Sequence, residues 1–160
     1  MSDRPKLTLE RTFEASPEEV WELWTTRDGI EAWMGPDGFK VEVRELDLRP
    51  GGALVYDMTA IGPDQVEFMA KAGMPVMTTQ TVTYLAVEPP RKLVYRDVAD
   101  FVPGVAPYDV ETVVEMNTVD GGTHVVLTFD AMHDDNWTEM SRLGRENELR
   151  NLEKLLASRS

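Results

Sequence analysis

The chain of 160 residues contains two histidines, His124 and His133, and no cysteine. Disulfides, thiolate metal sites and thiol nucleophiles are therefore all closed to it. His133 stands in an acidic run with Asp130, Asp134 and Asp135, residue types that can ligate a cation. A metal site there would lack a second histidine and a defined ligand spacing. Asp134 or Asp135 serves as well as the cap of a following helix, so the run is read as a helix entry. No metal or other cofactor is expected. His124 is read as structural. No Ser-His-Asp arrangement, phosphate-binding glycine loop or dinucleotide fingerprint can be read. Acid–base chemistry would need a buried carboxyl group or base beside apolar surface. Glu67, Asp97, Asp109, Glu111, Arg96 and Asn147 are the candidates, yet each is equally at home on a solvated strand, loop or helix. Nothing raises one above the rest, so no catalytic residue is assigned and the reading leans away from an enzyme.

The elements that must position these residues follow from periodicity. Leu7 to Glu14 alternates with a period of two and one mostly apolar face, which predicts a first strand. Ser16-Pro17-Glu18-Glu19 supplies a capping hydroxyl, a proline suited to the first helical turn and two acids at the positive helix end. A helix begins there with Val20, Leu23 and Trp24 as its buried stripe. Asp28 is read as the cap of a second short helix through Trp33, ended by Gly35-Pro36. Strands are then predicted over Lys40–Leu46, Ala53–Ile61, Val76–Val87, Lys92–Val98, Tyr108–Val119 and Thr123–Ala131. Arg49-Pro50-Gly51-Gly52, Glu88-Pro89-Pro90-Arg91 and Asp120-Gly121-Gly122 punctuate them. From Asp135 to Ala157, Trp137, Met140, Leu143 or Gly144, Leu149, Leu152, Leu155 and Leu156 recur at helical spacing, which predicts one long amphipathic helix. Gly144 inside it points to a close backbone approach or a bend. The order is strand, two short helices, six strands, long helix. Hairpin-length connections require antiparallel pairing, so the class is α+β.

A chain of this length buries roughly 70% of its unfolded surface, enough for one core, and is read as a single domain over 1–160. No apolar run reaches the ~20 residues of a spanning helix. Met1-Ser2-Asp3-Arg4-Pro5 has no apolar stretch behind its charges, so a cytoplasmic protein is expected. The net charge of −13 repels phosphate polyanions at long range, which disfavours nucleic acid and anionic membrane as partners. Acidity of this kind also keeps a protein soluble without any specific partner.

The chain resembles the SRPBCC (START-like, helix-grip) superfamily, in the branch of activators of heat-shock-protein-90 ATPase and polyketide cyclases. The resemblance runs from Leu7 to Leu156. It is carried by Ser16-Pro17-Glu18-Glu19-Val20-Trp21, by Trp33-Met34-Gly35-Pro36-Asp37-Gly38-Phe39 and by Asp47-Leu48-Arg49-Pro50-Gly51-Gly52. Val87-Glu88-Pro89-Pro90-Arg91-Lys92-Leu93-Val94-Tyr95 and Val119-Asp120-Gly121-Gly122-Thr123 extend it. Relatives often carry Gly-Trp near the start of the last helix, whereas this chain has Gly144-Arg145 and places Trp137 earlier. Gly62 to Pro75 also reads as a longer connection than the usual hairpin, with a short helix over Val66–Ala72 as the alternative.

The resemblance implies a curved sheet of about seven strands wrapped around the C-terminal helix, with a cavity between them. Its expected lining is Trp33, Phe68, Met69, Met77, Tyr84, Tyr95, Phe101, Tyr108, Trp137 and Met140, and a filled core is the alternative for each. The segments Gly62–Pro75 and Ala99–Pro107 are expected at its opening. The implied function is a carrier or sensor of a small apolar or aromatic molecule. A chaperone-associated interaction domain and a cyclase- or hydratase-like enzyme are the alternatives, and a homodimer is left open.

Overall fold

The computed structural model describes residues 4–100 and 102–159. Its elements run β1 (Lys6–Phe13), α1 (Pro17–Thr25), α2 (Arg27–Trp33), β2 (Phe39–Leu46), β3 (Ala53–Ala60), α3 (Pro63–Lys71), β4 (Met77–Glu88), β5 (Lys92–Ala99), β6 (Tyr108–Val119), β7 (Gly122–Asp130) and α4 (Asp135–Arg159). The seven strands form one antiparallel sheet in the order β1-β7-β6-β5-β4-β3-β2. The α+β class, the strand count and the long last helix agree with the sequence reading. Within Gly62–Pro75 the alternative of a short helix is the one present: α3 begins at Pro63 rather than Val66 and buries Met69.

Local chemistry accounts for the helix starts. Ser16 Oγ accepts from the Glu19 amide at 3.2 Å with Pro17 in the first turn. The cap of α2 is Thr26, whose Oγ1 accepts from Gly29 N at 3.2 Å. Asp28, expected in that role, instead lies in the first turn of α2, where its charge still faces the positive helix end. Gly29 is demanded by packing: a Cβ there would stand 2.6 Å from Leu23 Cα and O. Asp134 caps α4 by accepting from Trp137 N at 2.7 Å. Gly121 turns the β6–β7 hairpin at φ +81, and a Cβ on Gly122 would meet Phe13 O at 1.9 Å, so the hairpin packs directly on the end of β1.

Register shifts between Val43 and Glu45 in β2, and between Tyr84 and Ala86 in β4, mark bulges. Bulges bend a strand and increase its twist, and here they accompany a sheet whose concave face receives α4. The two halves of that helix differ. Leu149, Leu152 and Leu156 are buried in the core with Phe13, Val20, Val114, Val125, Leu127 and Phe129. Towards the N-terminus Leu143 is 51% exposed and Gly144 faces inward. The choice between Leu143 and Gly144 is thus settled for the glycine. A Cβ at Gly144 would meet only Pro36 Cγ, at 3.5 Å, so the expected close backbone approach is absent there.

Candidate functional site

Between the N-terminal half of α4 and the sheet lies a cavity of about 320 Å³. Strand alternation explains its walls. Leu54, Tyr56 and Met58 reach it from β3, Thr78, Gln80, Val82 and Tyr84 from β4, and Leu93, Tyr95, Asp97 and Ala99 from β5. Each set is spaced by two. From α4 come Trp137, Met140, Ser141, Gly144, Arg145, Glu148 and Leu149, spaced by three and four, as one helical stripe requires. Trp24, Trp33 and Met34 close one end, and Phe68, Met69 and Met74 come from α3 and the turn after it. Trp24 and Trp33 meet edge to face at 4.6 Å between ring centroids, and Trp33 Nε1 donates to Leu23 O at 2.7 Å. Phe68 both lines the cavity and is 41% exposed, so it stands at the mouth.

Of the expected lining, the structure brings together Trp33, Phe68, Met69, Tyr84, Tyr95, Trp137 and Met140. Met77 is not among the walls. It holds the opposite phase of β4 from Thr78 and Gln80, and is 46% exposed. Tyr108 is also not among them, although its strand phase points inward with Val110. It begins β6 beside the entry to α4, where its hydroxyl lies 2.7 Å from His133 Nδ1 and accepts from His133 N at 3.1 Å. The Arg4 guanidinium lies 3.9 Å from its ring centroid. Phe101 lies outside the described residues. His124 is held on the outer surface, Nε2 lying 3.0 Å from Glu10 Oε1. Among the described residues no group of three or more His, Cys, Asp or Glu side chains could hold a metal.

Of a polar group at the cavity wall, the sequence reading names Tyr95 and Asp97 and misses Tyr56, Arg145 and Glu148. All five line the cavity. Of the acid–base candidates named from the sequence, only Asp97 is here. Burial pushes its carboxyl above the usual range, against the opposing pull of Arg145. Burial likewise raises Glu148, while the Gly35 amide, donating to Glu148 Oε2 at 2.6 Å, and Arg145 act the other way. Tyr56 and Tyr95 are raised mainly by burial, so both hydroxyls are neutral donors at neutral pH. Asp97 Oδ1 is buried with no hydrogen-bond partner. The guanidinium of Arg145 lies 4.2 Å from the centroid of the Phe129 ring, a cation–π contact. A readable signal did exist: Arg145 and Glu148 sit within the stripe that contains Trp137, Met140 and Leu149, and charge interrupting an apolar stripe marks a polar patch facing inward.

A bent antiparallel sheet gripping its C-terminal helix, with a cavity enclosed between the two, defines a helix-grip domain. Residues 14–157 match the profile of the family described as Activator of Hsp90 ATPase homolog 1-like protein. The chain belongs to that family. No curated protein matches the sequence significantly. Among solved structures it is similar to a Chromobacterium violaceum protein at 24% identity, with a TM-score of 0.78 over 94% of this chain and 96% of the other. The AHSA1 protein of Silicibacter pomeroyi is 19% identical, TM-score 0.75, over 98% and 100% of the two chains. An AHSA1-like protein of Aeromonas hydrophila is 26% identical, TM-score 0.69, over 94% of each. No helix among the described residues is long and apolar enough to cross a membrane.

Proposed function

We propose that the protein binds a small, largely apolar or aromatic molecule between the sheet and α4, as a carrier or sensor. The cavity carries this reading. Interiors are normally close-packed, whereas this one leaves about 320 Å³ walled by tryptophan, tyrosine, methionine and phenylalanine, at the lower end of known ligand sites. Met34, Met58, Met69, Met74, Met132 and Met140 in the walls supply an adaptable surface. Because Trp24, Trp33 and Trp137 line the space, occupancy changes intrinsic fluorescence. Titration with naphthalene and related aromatic probes is expected to alter that fluorescence saturably. Ligand at about a hundred times Kd adds about 2.7 kcal/mol, a Tm rise of several degrees. A panel without either response removes the reading.

Two further readings have particular support. Asp97 and Glu148, both raised by burial at the wall of a mostly apolar cavity, favour a cyclase- or hydratase-like enzyme. Turnover undiminished in Asp97→Asn removes Asp97 from that role. The family description names an activator of a chaperone ATPase, and the net charge of −13 suits a basic partner surface. A pull-down in which the purified chain fails to retain that chaperone counts against this reading.

A further inference from the structure

Resting on the cavity as a ligand site, we infer that its occupant is a neutral hydroxylated molecule: an apolar body carrying a phenolic or alcoholic hydroxyl that engages Asp97 and Arg145. Two polar groups at the wall lack ordinary partners. Asp97 Oδ1 is buried and accepts no hydrogen bond. Arg145 contributes a guanidinium to the same cavity, rests it on Phe129 and forms no ion pair within 4.0 Å among the described residues. A buried acceptor without a donor is costly to leave that way. A hydroxyl answers both needs, since it donates to the carboxyl group and accepts from the guanidinium.

Charge selects the same class. A ligand carboxylate would meet Arg145 but would also face Asp97 and Glu148. An ammonium group would meet the two acids but face Arg145. The two carboxyl groups are both raised by burial, and Asp97 raises Glu148 further, while the Arg145 charge opposes the rise in each. A neutral guest preserves that balance in a low-dielectric space. Tyr56 and Tyr95 add neutral hydroxyl donors at the same wall. The remaining lining is mostly aromatic and aliphatic, which suits the body of the ligand.

The test compares four probes of one shape at pH 7: naphthalene, 2-naphthol, 2-naphthoate and 2-(aminomethyl)naphthalene, with Kd measured by fluorescence titration on the intact chain. The expected result is that 2-naphthol binds about tenfold or more tightly than each of the other three. In Asp97→Ala and Arg145→Met the preference over naphthalene falls below about threefold while naphthalene itself still binds. Equal affinity for naphthalene and 2-naphthol overturns this inference and leaves the cavity reading standing. So does a charged probe that binds as tightly as 2-naphthol. Failure of all four, naphthalene included, overturns both. If either variant misfolds, the selectivity of the unaltered protein alone decides.

Discussion

Gly144 separates a working cavity from a packing defect. It lies on the inward stripe of α4 and lines the cavity, and its backbone is outside the left-handed region. A Cβ there meets only Pro36 Cγ at 3.5 Å, an ordinary contact. Replacing glycine by alanine inside a helix contributes about 1 kcal/mol when nothing clashes, so Gly144→Ala should raise Tm by about 2–4 °C in a domain of this size. Gly144→Leu adds the same helical preference and places three further carbons in space now empty. Its stability should match or exceed that of the alanine variant, while naphthalene affinity drops by about tenfold or more as leucine takes the ligand's volume. Thermal unfolding by circular dichroism gives the first quantity and fluorescence titration the second. A leucine variant that loses several degrees would show that the space is already filled. One that binds the probe as well as the parent would show that binding lies elsewhere.

Two other outcomes follow from the same coordinates. Burial holds the Asp97 carboxyl above its ordinary value of 3.8, so the folded state binds that proton more tightly than the unfolded chain. The resulting stability is present below 3.8 and is lost as pH rises through the folded value. Asn mimics the protonated form, so the stability of Asp97→Asn relative to the parent should be more favourable at pH 7 than at pH 3.5 in urea unfolding; an equal difference at both would refute the assignment. Tyr108→Phe removes the hydroxyl that meets His133 Nδ1 at 2.7 Å and accepts from His133 N at 3.1 Å. It should cost about 1–2 kcal/mol, seen as a Tm lower by a few degrees, with naphthalene affinity unchanged. A loss of affinity would return Tyr108 to the ligand site.

The elements were legible because their signals are local. The Ser16-Pro17 cap, the hairpin at Asp120-Gly121-Gly122 and the three-and-four spacing of α4 each depend on a few neighbouring residues, and each recurs in the structure. On β5 the sequence places Tyr95 inward, but the alternation alone does not carry Asp97 with it. Leu93, Tyr95 and Asp97 alternate with Val94, Arg96 and Val98, and with apolar residues on both faces the period of two does not say which side is inward. Met77 was misplaced at the start of β4, where a single residue changes face. The helix α3 stands in the sequence only as the alternative over Val66–Ala72, because its apolar residues, Val66, Phe68 and Met69, do not recur over enough turns to establish a period.

The amino-acid order by itself determined the strands, the starts of α1 and α4, the turns and the apolar stripe of the last helix, because short-range sterics and burial periodicity act within a few residues. Only the tertiary structure decided which polar groups meet. Tyr56 belongs to β3, Asp97 to β5, and Arg145 and Glu148 to α4, and their convergence depends on pairing register, on bulges that bend the sheet and on the rotation of one helix. A one-residue slip in any strand turns its side chains to the other face, and no local preference along the chain is strong enough to specify that geometry.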